Sequence, residues 1–324
     1  MSVGLRHNTG MLGLPDYRGL SMVAFFATCN IVITLLWSAV DHWTLSDPHG
    51  GGFYLIVASL GMPLLLPRYR ADGKIAAALG TMLAMLIFTR SAAVLCYMIT
   101  STGAPLVDAT LVRWDDALGF DWVGHGRWLQ HHPWLMAALS WSYGSVLPQF
   151  VVMTLYLAFT GRYKQLSDFC GVLVLTALIC EVVSALVPAA GASKHFAAQL
   201  ATDISPLSDF EPLRAGTLRS INVGALQGLV SIPSFHTILA LLFIAAMRGT
   251  WLALPFLLLN LLMLLSTPRF GGHYLVDMIG GVLAYGVAAW GWRLLAARMV
   301  VTRRPVSVSH GQQTESLEEV TGSN

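Results

Sequence analysis

Eight long apolar runs leave this chain few ways to fold. They occupy about residues 20–40, 53–67, 75–100, 135–159, 169–189, 232–247, 251–267 and 274–297. A run of ~20 mostly apolar residues is long enough to cross a bilayer as a helix, and a helix satisfies its own backbone hydrogen bonds where no water is present. The runs at 53–67, 232–247 and 251–267 are short and are expected to be tilted or partly re-entrant. Only 11% of the 324 residues are charged, whereas a soluble domain carries about 25%. The expected fold is all-α: a polytopic membrane helix bundle of about eight transmembrane helices. A net charge of +2 gives no sign of a nucleic-acid partner.

Lys and Arg orient this plan, because cytoplasmic loops carry the excess. With the N-terminus inside, the inner segments hold 12 of the 19 basic residues: Arg6, Arg18, Arg68, Arg70, Lys74, Arg162, Lys164, Arg248, Arg293, Arg298, Arg303 and Arg304. Six lie outside: Arg113, Arg127, Lys194, Arg214, Arg219 and Arg269. Both termini are expected in the cytoplasm of a multi-pass inner cell membrane. The first run is long enough to remain as a span, so no cleaved leader is expected. Three regions are expected: N-terminal helices with a tryptophan-rich outer loop (1–134), a helical bundle (135–300) and a disordered cytoplasmic tail (301–324). Trp114, Trp122, Trp128 and Trp134 in the loop at 101–134 suit an interfacial segment. The four cysteines, Cys29, Cys96, Cys170 and Cys180, fall in apolar runs and read as free thiols.

Two short segments carry the chemistry: Ser231-Ile232-Pro233-Ser234-Phe235-His236, and Gly271-Gly272-His273-Tyr274-Leu275-Val276-Asp277. Each stands at the mouth of an apolar run, and the topology puts both on the extracytoplasmic side. His273 and Asp277, four apart, share a helical face. A carboxylate beside an imidazole fixes its tautomer and leaves the other nitrogen a nucleophile or base. Ser234 reads as a helix N-cap, and Gly271-Gly272 as thin backbone that a ligand can approach. A metal site is a second reading of two histidines and a carboxylate, although no fourth ligand is evident. A transporter that relays protons or binds anions through the same groups is a third.

Pro233-Ser234-Phe235-His236 and His273-x3-Asp277 resemble the second and third signatures of the type-2 phosphatidic acid phosphatase superfamily, over about residues 135–298. The resemblance implies a six-helix catalytic core, no cofactor and no metal. It implies that His273, supported by Asp277, attacks phosphorus to form a phosphohistidine, and that His236 protonates the leaving alkoxide. The substrate would be a lipid in the membrane. The acceptor would be a small or lipid alcohol in a head-group transferase, or water in a lipid phosphatase. The chain departs from the usual pattern. The first signature, Lys-x6-Arg-Pro, is absent; the sole Arg-Pro is Arg304-Pro305. Thr267 stands where the third signature usually has Arg, and Phe235 where the second usually has Gly. These departures resemble the inositol phosphorylceramide synthase branch, with its Gly-x-His-Tyr-x2-Asp motif, and lean the reading toward transfer.

A transferring phosphoryl group needs cations and hydrogen-bond donors. Arg269 is the first candidate by proximity, then Arg219 and Lys194, with Ser234 and the backbone at Gly272 as donors. Ser142, Tyr143 and Gln149 are candidates for an acceptor pocket, and Arg90 and Glu181 are expected to pair within the membrane.

Overall fold

The computed structural model describes residues 17–47 and 51–301. Arg6, Arg303, Arg304 and the tail expected from Pro305 onward lie outside the described residues. In chain order the elements are α1 (Arg18–Asp41), strand β1 (Thr44–Ser46), α2 (Gly51–Leu65), α3 (Pro67–Ala71), α4 (Gly73–Ser101), α5 (Asp108–Ala117), α6 (Trp122–Gln130), α7 (Pro133–Gly144), α8 (Val146–Phe159) and α9 (Tyr163–Leu186). Short helical turns follow: α10 (Ala192–His195), α11 (Ala197–Leu200), a 3₁₀ turn (Ser205–Leu207) and α12 (Phe210–Arg214). Strand β2 (Ser220–Asn222), α13 (Phe235–Ala246), α14 (Ala253–Phe270) and α15 (Leu275–Val301) complete the described chain.

Every apolar run is helical, but not every run is one long span. Five helices are long and apolar enough to cross a membrane: α1, α4, α9, α14 and α15. The run at 135–159 is two helices, α7 and α8, bent by 50°. Pro148 has no N–H to offer the Gly144 carbonyl, so the helix breaks at Ser145. Counted as one span, the pair makes six; α2 and α13 are shorter apolar helices. The bundle exposes large apolar side chains along its outer faces, among them Leu36, Leu254, Leu265, Leu283 and Trp290. A surface of that kind belongs in lipid. The chain is thus an all-α polytopic membrane bundle.

Helix α9 is the centre, packing against α1, α4, α8, α13 and α15. Small residues let its neighbours approach, as membrane packing requires. The Gly19 N–H of α1 reaches Ser167 Oγ at 2.9 Å. A Cβ on Gly171 would lie 2.4 Å from the Trp292 ring of α15. That ring is 2% exposed, and Asp168 Oδ1 accepts its indole N–H at 2.8 Å, so it cannot step aside. Gly171→Ala is expected to cost about 1–3 kcal/mol by overpacking; reversible unfolding in mixed micelles measures it.

The intramembrane charges do not pair. Arg90 donates to the Val223 carbonyl at 2.7 Å and lies over Phe53, while Glu181 accepts from Asn30 Nδ2 at 3.2 Å. Each charge found a neutral partner on a neighbouring element, which sequence spacing cannot reveal. The four cysteines are free. The segments after α1 and before α13 also join: β1 pairs in parallel with β2, Leu45 opposite Ile221.

Candidate active site

The N-termini of α13 and α15 and the C-terminus of α14 meet at one end of the bundle, and they carry the two motifs. Ser234 caps α13, its hydroxyl accepting from the Thr237 N–H at 3.4 Å. The Ser234 N–H donates to the Asp277 carbonyl at 2.9 Å, which ties the start of α13 to the first turn of α15. A Cβ on Gly281 would sit 2.7 Å from the Ser234 carbonyl oxygen, so a glycine there permits the approach.

The start of α15 is held by carboxylates, as orphan helix N–H groups and the helix dipole favour. Asp115, from α5, accepts from the Leu275 and Val276 N–H groups at 2.8 and 3.0 Å. Burial pushes the Asp115 pKa above its ordinary value, and these two N–H groups oppose that rise. Asp108 accepts from the Ala190 and Gly191 N–H groups and from the Tyr274 hydroxyl at 2.9 Å. Burial, then the Asp108 carboxylate, raise the Tyr274 pKa, so the phenol remains a donor. Trp122 donates its indole N–H to the His273 carbonyl at 3.2 Å and stacks on Phe196. It is 3% exposed, so Trp122 is not at the interface as the loop's composition suggested; Trp114, Trp128 and Trp134 are exposed.

Within this frame His273 Nδ1 faces Asp277 Oδ2 at 3.5 Å, with His273 4% exposed and Asp277 fully buried. Asp277 Oδ2 also accepts from Ser231 Oγ at 2.7 Å and from the Tyr274 N–H at 3.1 Å. Three groups thus converge on one oxygen, which fixes the carboxylate against the imidazole. His236 is near enough to His273 for the two rings to interact electrostatically. Its Nδ1 is 3.0 Å from the Tyr143 hydroxyl, and the two rings stack with centroids 4.0 Å apart. With Tyr143 as donor, the His236 proton sits on Nε2. Gly271 lies between these groups: a Cβ there would be 2.6 Å from His273 Cδ2 and 3.2 Å from the Tyr143 hydroxyl. Gly272 has φ +65°, and Ser193 fills the space its Cβ would need.

The cation candidates separate. Arg269, near the end of α14, is half-buried; its Nε is buried, and no hydrogen-bond or carboxylate partner holds its side chain among the described residues. Lys194 is salt-bridged to Glu211 and lies over Phe210. Arg219, the residue before β2, is exposed and stacks over Trp43, in a different apolar cluster. Ser234 is occupied as a cap. Of the acceptor-pocket candidates, Ser142 donates to the Leu259 carbonyl and Gln149 accepts from Asn260, both bonds joining α7 and α8 to α14. Only Tyr143 reaches a histidine. Ser231, Asp108 and Asp115 carry no role in the sequence reading. Ser231 stands three residues before Ser234 in the motif itself; nothing local marks the two aspartates. No group of three or more His, Cys, Asp or Glu among the described residues is placed to hold a metal ion.

A family model described as PAP2 superfamily matches residues 109–291, more than half of the chain. The chain belongs to the PAP2 superfamily. Its members are generally phosphatases or phosphotransferases, so this PAP2 protein is of the lipid phosphatase or phosphotransferase type. The match begins ahead of residue 135 and takes in α5 and α6. Those helices bring Asp115 and Trp122 to the backbone beside His273. No curated protein and no solved structure matches the chain.

Proposed function

We propose that this PAP2 protein moves a phosphate-bearing group from a membrane lipid to an alcohol, through a phosphohistidine on His273. The observation that carries the reading is the buried His273–Asp277 pair within electrostatic reach of His236, with Arg269 in the last turn of α14, four residues before His273, its buried Nε without a partner among the described residues. In the first step His273 Nε2 attacks phosphorus. The N–P bond forms, the P–O bond to the lipid alkoxide breaks, and that oxygen takes the Nε2 proton of His236. In the second step His236 accepts the proton of the acceptor hydroxyl, whose oxygen attacks phosphorus as the N–P bond breaks. Asp277 stabilises the positive charge on His273, and Arg269 the charge on the phosphoryl oxygens. Arg219 and Lys194 remain rim contacts for a head group in this reading. Arg269→Gln is expected to lower kcat about 10²–10³-fold, and steady-state assays in detergent measure it.

Transfer is favoured over hydrolysis by the burial of His273, since a shielded phosphohistidine meets bulk water less often. The resemblance of Phe235 and Gly271–Asp277 to the inositol phosphorylceramide synthase branch supports the same acceptor class. The basic residues at the opposite end, Arg18, Lys164, Arg248 and Arg293, support an extracytoplasmic active site and cytoplasmic termini. The test incubates purified protein with phosphatidylinositol plus ceramide or diacylglycerol, and separately with phosphatidic acid, and follows products by mass spectrometry. A phospho-head-group on the acceptor is the expected product. Inorganic phosphate from phosphatidic acid with no transfer product would make the protein a phosphatase.

A further inference from the structure

The end of the bundle away from the histidines holds a cavity of about 510 Å³ between α1, α9, α13 and α15. Arg293 lies 16 residues after Asp277 on the same helix, roughly 24 Å further along, so this cavity is separate from the active site. Four cations line it: Arg18, Lys164, Arg248 and Arg293. Its carboxylate, Asp168, is already engaged by Lys164 at 2.6 Å and by the Trp292 indole N–H at 2.8 Å. Arg248 and Arg293 are exposed, and neither guanidinium has a hydrogen-bond or carboxylate partner among the described residues. Both lie within electrostatic reach of Tyr285, which also lines the cavity. The inner wall is apolar, formed in part by Phe169, Leu242 and Ala289.

We infer that this cavity binds an anionic phospholipid from the leaflet opposite the active site, its phosphate held between Arg248 and Arg293. Arginine presents paired N–H donors that match phosphate oxygens, and basic pockets between helices suit anionic head groups. The apolar wall is what distinguishes a lipid from a soluble phosphate. A lipid sets its glycerol and upper acyl chain against Leu242 and Ala289, whereas a free ion leaves that wall empty.

The experiment measures the melting temperature of the purified full chain in a neutral detergent, titrated with phosphatidylglycerol, diacylglycerol or inorganic phosphate. At a hundredfold excess over Kd, phosphatidylglycerol is expected to raise Tm by about 5 °C, and the other two to leave it unchanged. The double variant Arg248→Gln/Arg293→Gln should lose most of the rise. Arg248→Lys/Arg293→Lys should keep at least half of it, and His273→Ala all of it. If the double glutamine variant does not accumulate, each single variant should lose about half. A full rise in the glutamine variants overturns the proposal. So does an equal rise with inorganic phosphate, which assigns a soluble anion, and so does loss of the rise in His273→Ala, which assigns it to the active site.

Discussion

Replacing His273 with alanine is expected to remove all covalent phosphate and to lower turnover by about 10⁴-fold or more. Asp277 is fixed by Ser231 Oγ and the Tyr274 N–H, and its one firmly held oxygen faces His273 Nδ1. In the proposed mechanism the imidazole then presents its other nitrogen to the substrate as the nucleophile. Among the described residues no carboxylate pairs with His236; its Nδ1 partner is the Tyr143 hydroxyl. It is equipped to move a proton rather than to carry a phosphoryl group. Acid-quenched mass spectrometry after mixing with a phospholipid donor checks this. The wild type should show a phosphorylated peptide containing His273, and His273→Ala none. A variant that kept turnover within tenfold of wild type would place the nucleophile elsewhere. His236→Ala gives the complementary result: slow release of a lipid alkoxide, with a smaller loss for a donor whose leaving group needs no proton.

Asp277→Asn should lower kcat about 10³–10⁴-fold while leaving the fold intact, as when an asparagine replaces the aspartate behind a catalytic histidine. The amide oxygen can take the place of Oδ2 and keep the bonds from Ser231 and the Tyr274 N–H. The amide nitrogen then falls where Oδ1 has no partner among the described residues. What is lost is the negative charge beside His273, which in the proposed mechanism stabilises the imidazole as its other nitrogen becomes bonded to phosphorus. Stability should therefore change far less than rate, and KM should move little. Equal losses in melting temperature and activity would mean that Asp277 holds the helix start and does nothing further for the reaction.

The apolar runs, the two motifs and the cap at Ser234 were legible because each depends on residues close in sequence. Length and hydropathy make a lipid-spanning helix whatever lies beside it, and the i to i+4 spacing puts His273 and Asp277 on one face. The break at Ser145 was legible in principle from Pro148, yet the apolar run reads straight across it. Partners were not legible. Arg269 and Arg219 look alike in sequence, but one ends α14 beside the motif and the other stacks on Trp43 over a different cluster. Arg90 and Glu181 look like a pair and are not one.

The sequence by itself determined a helical membrane protein with an imidazole–carboxylate pair at the mouth of its last helix. Only the tertiary structure decided which groups surround that pair. Asp108, Asp115 and Trp122 reach it from more than a hundred residues away. Their bonds to backbone N–H groups, to a carbonyl and to the Tyr274 hydroxyl leave no periodic mark on the sequence. Hydropathy and helical period are local properties of the chain, whereas the partner of a buried polar group is set by how the helices pack.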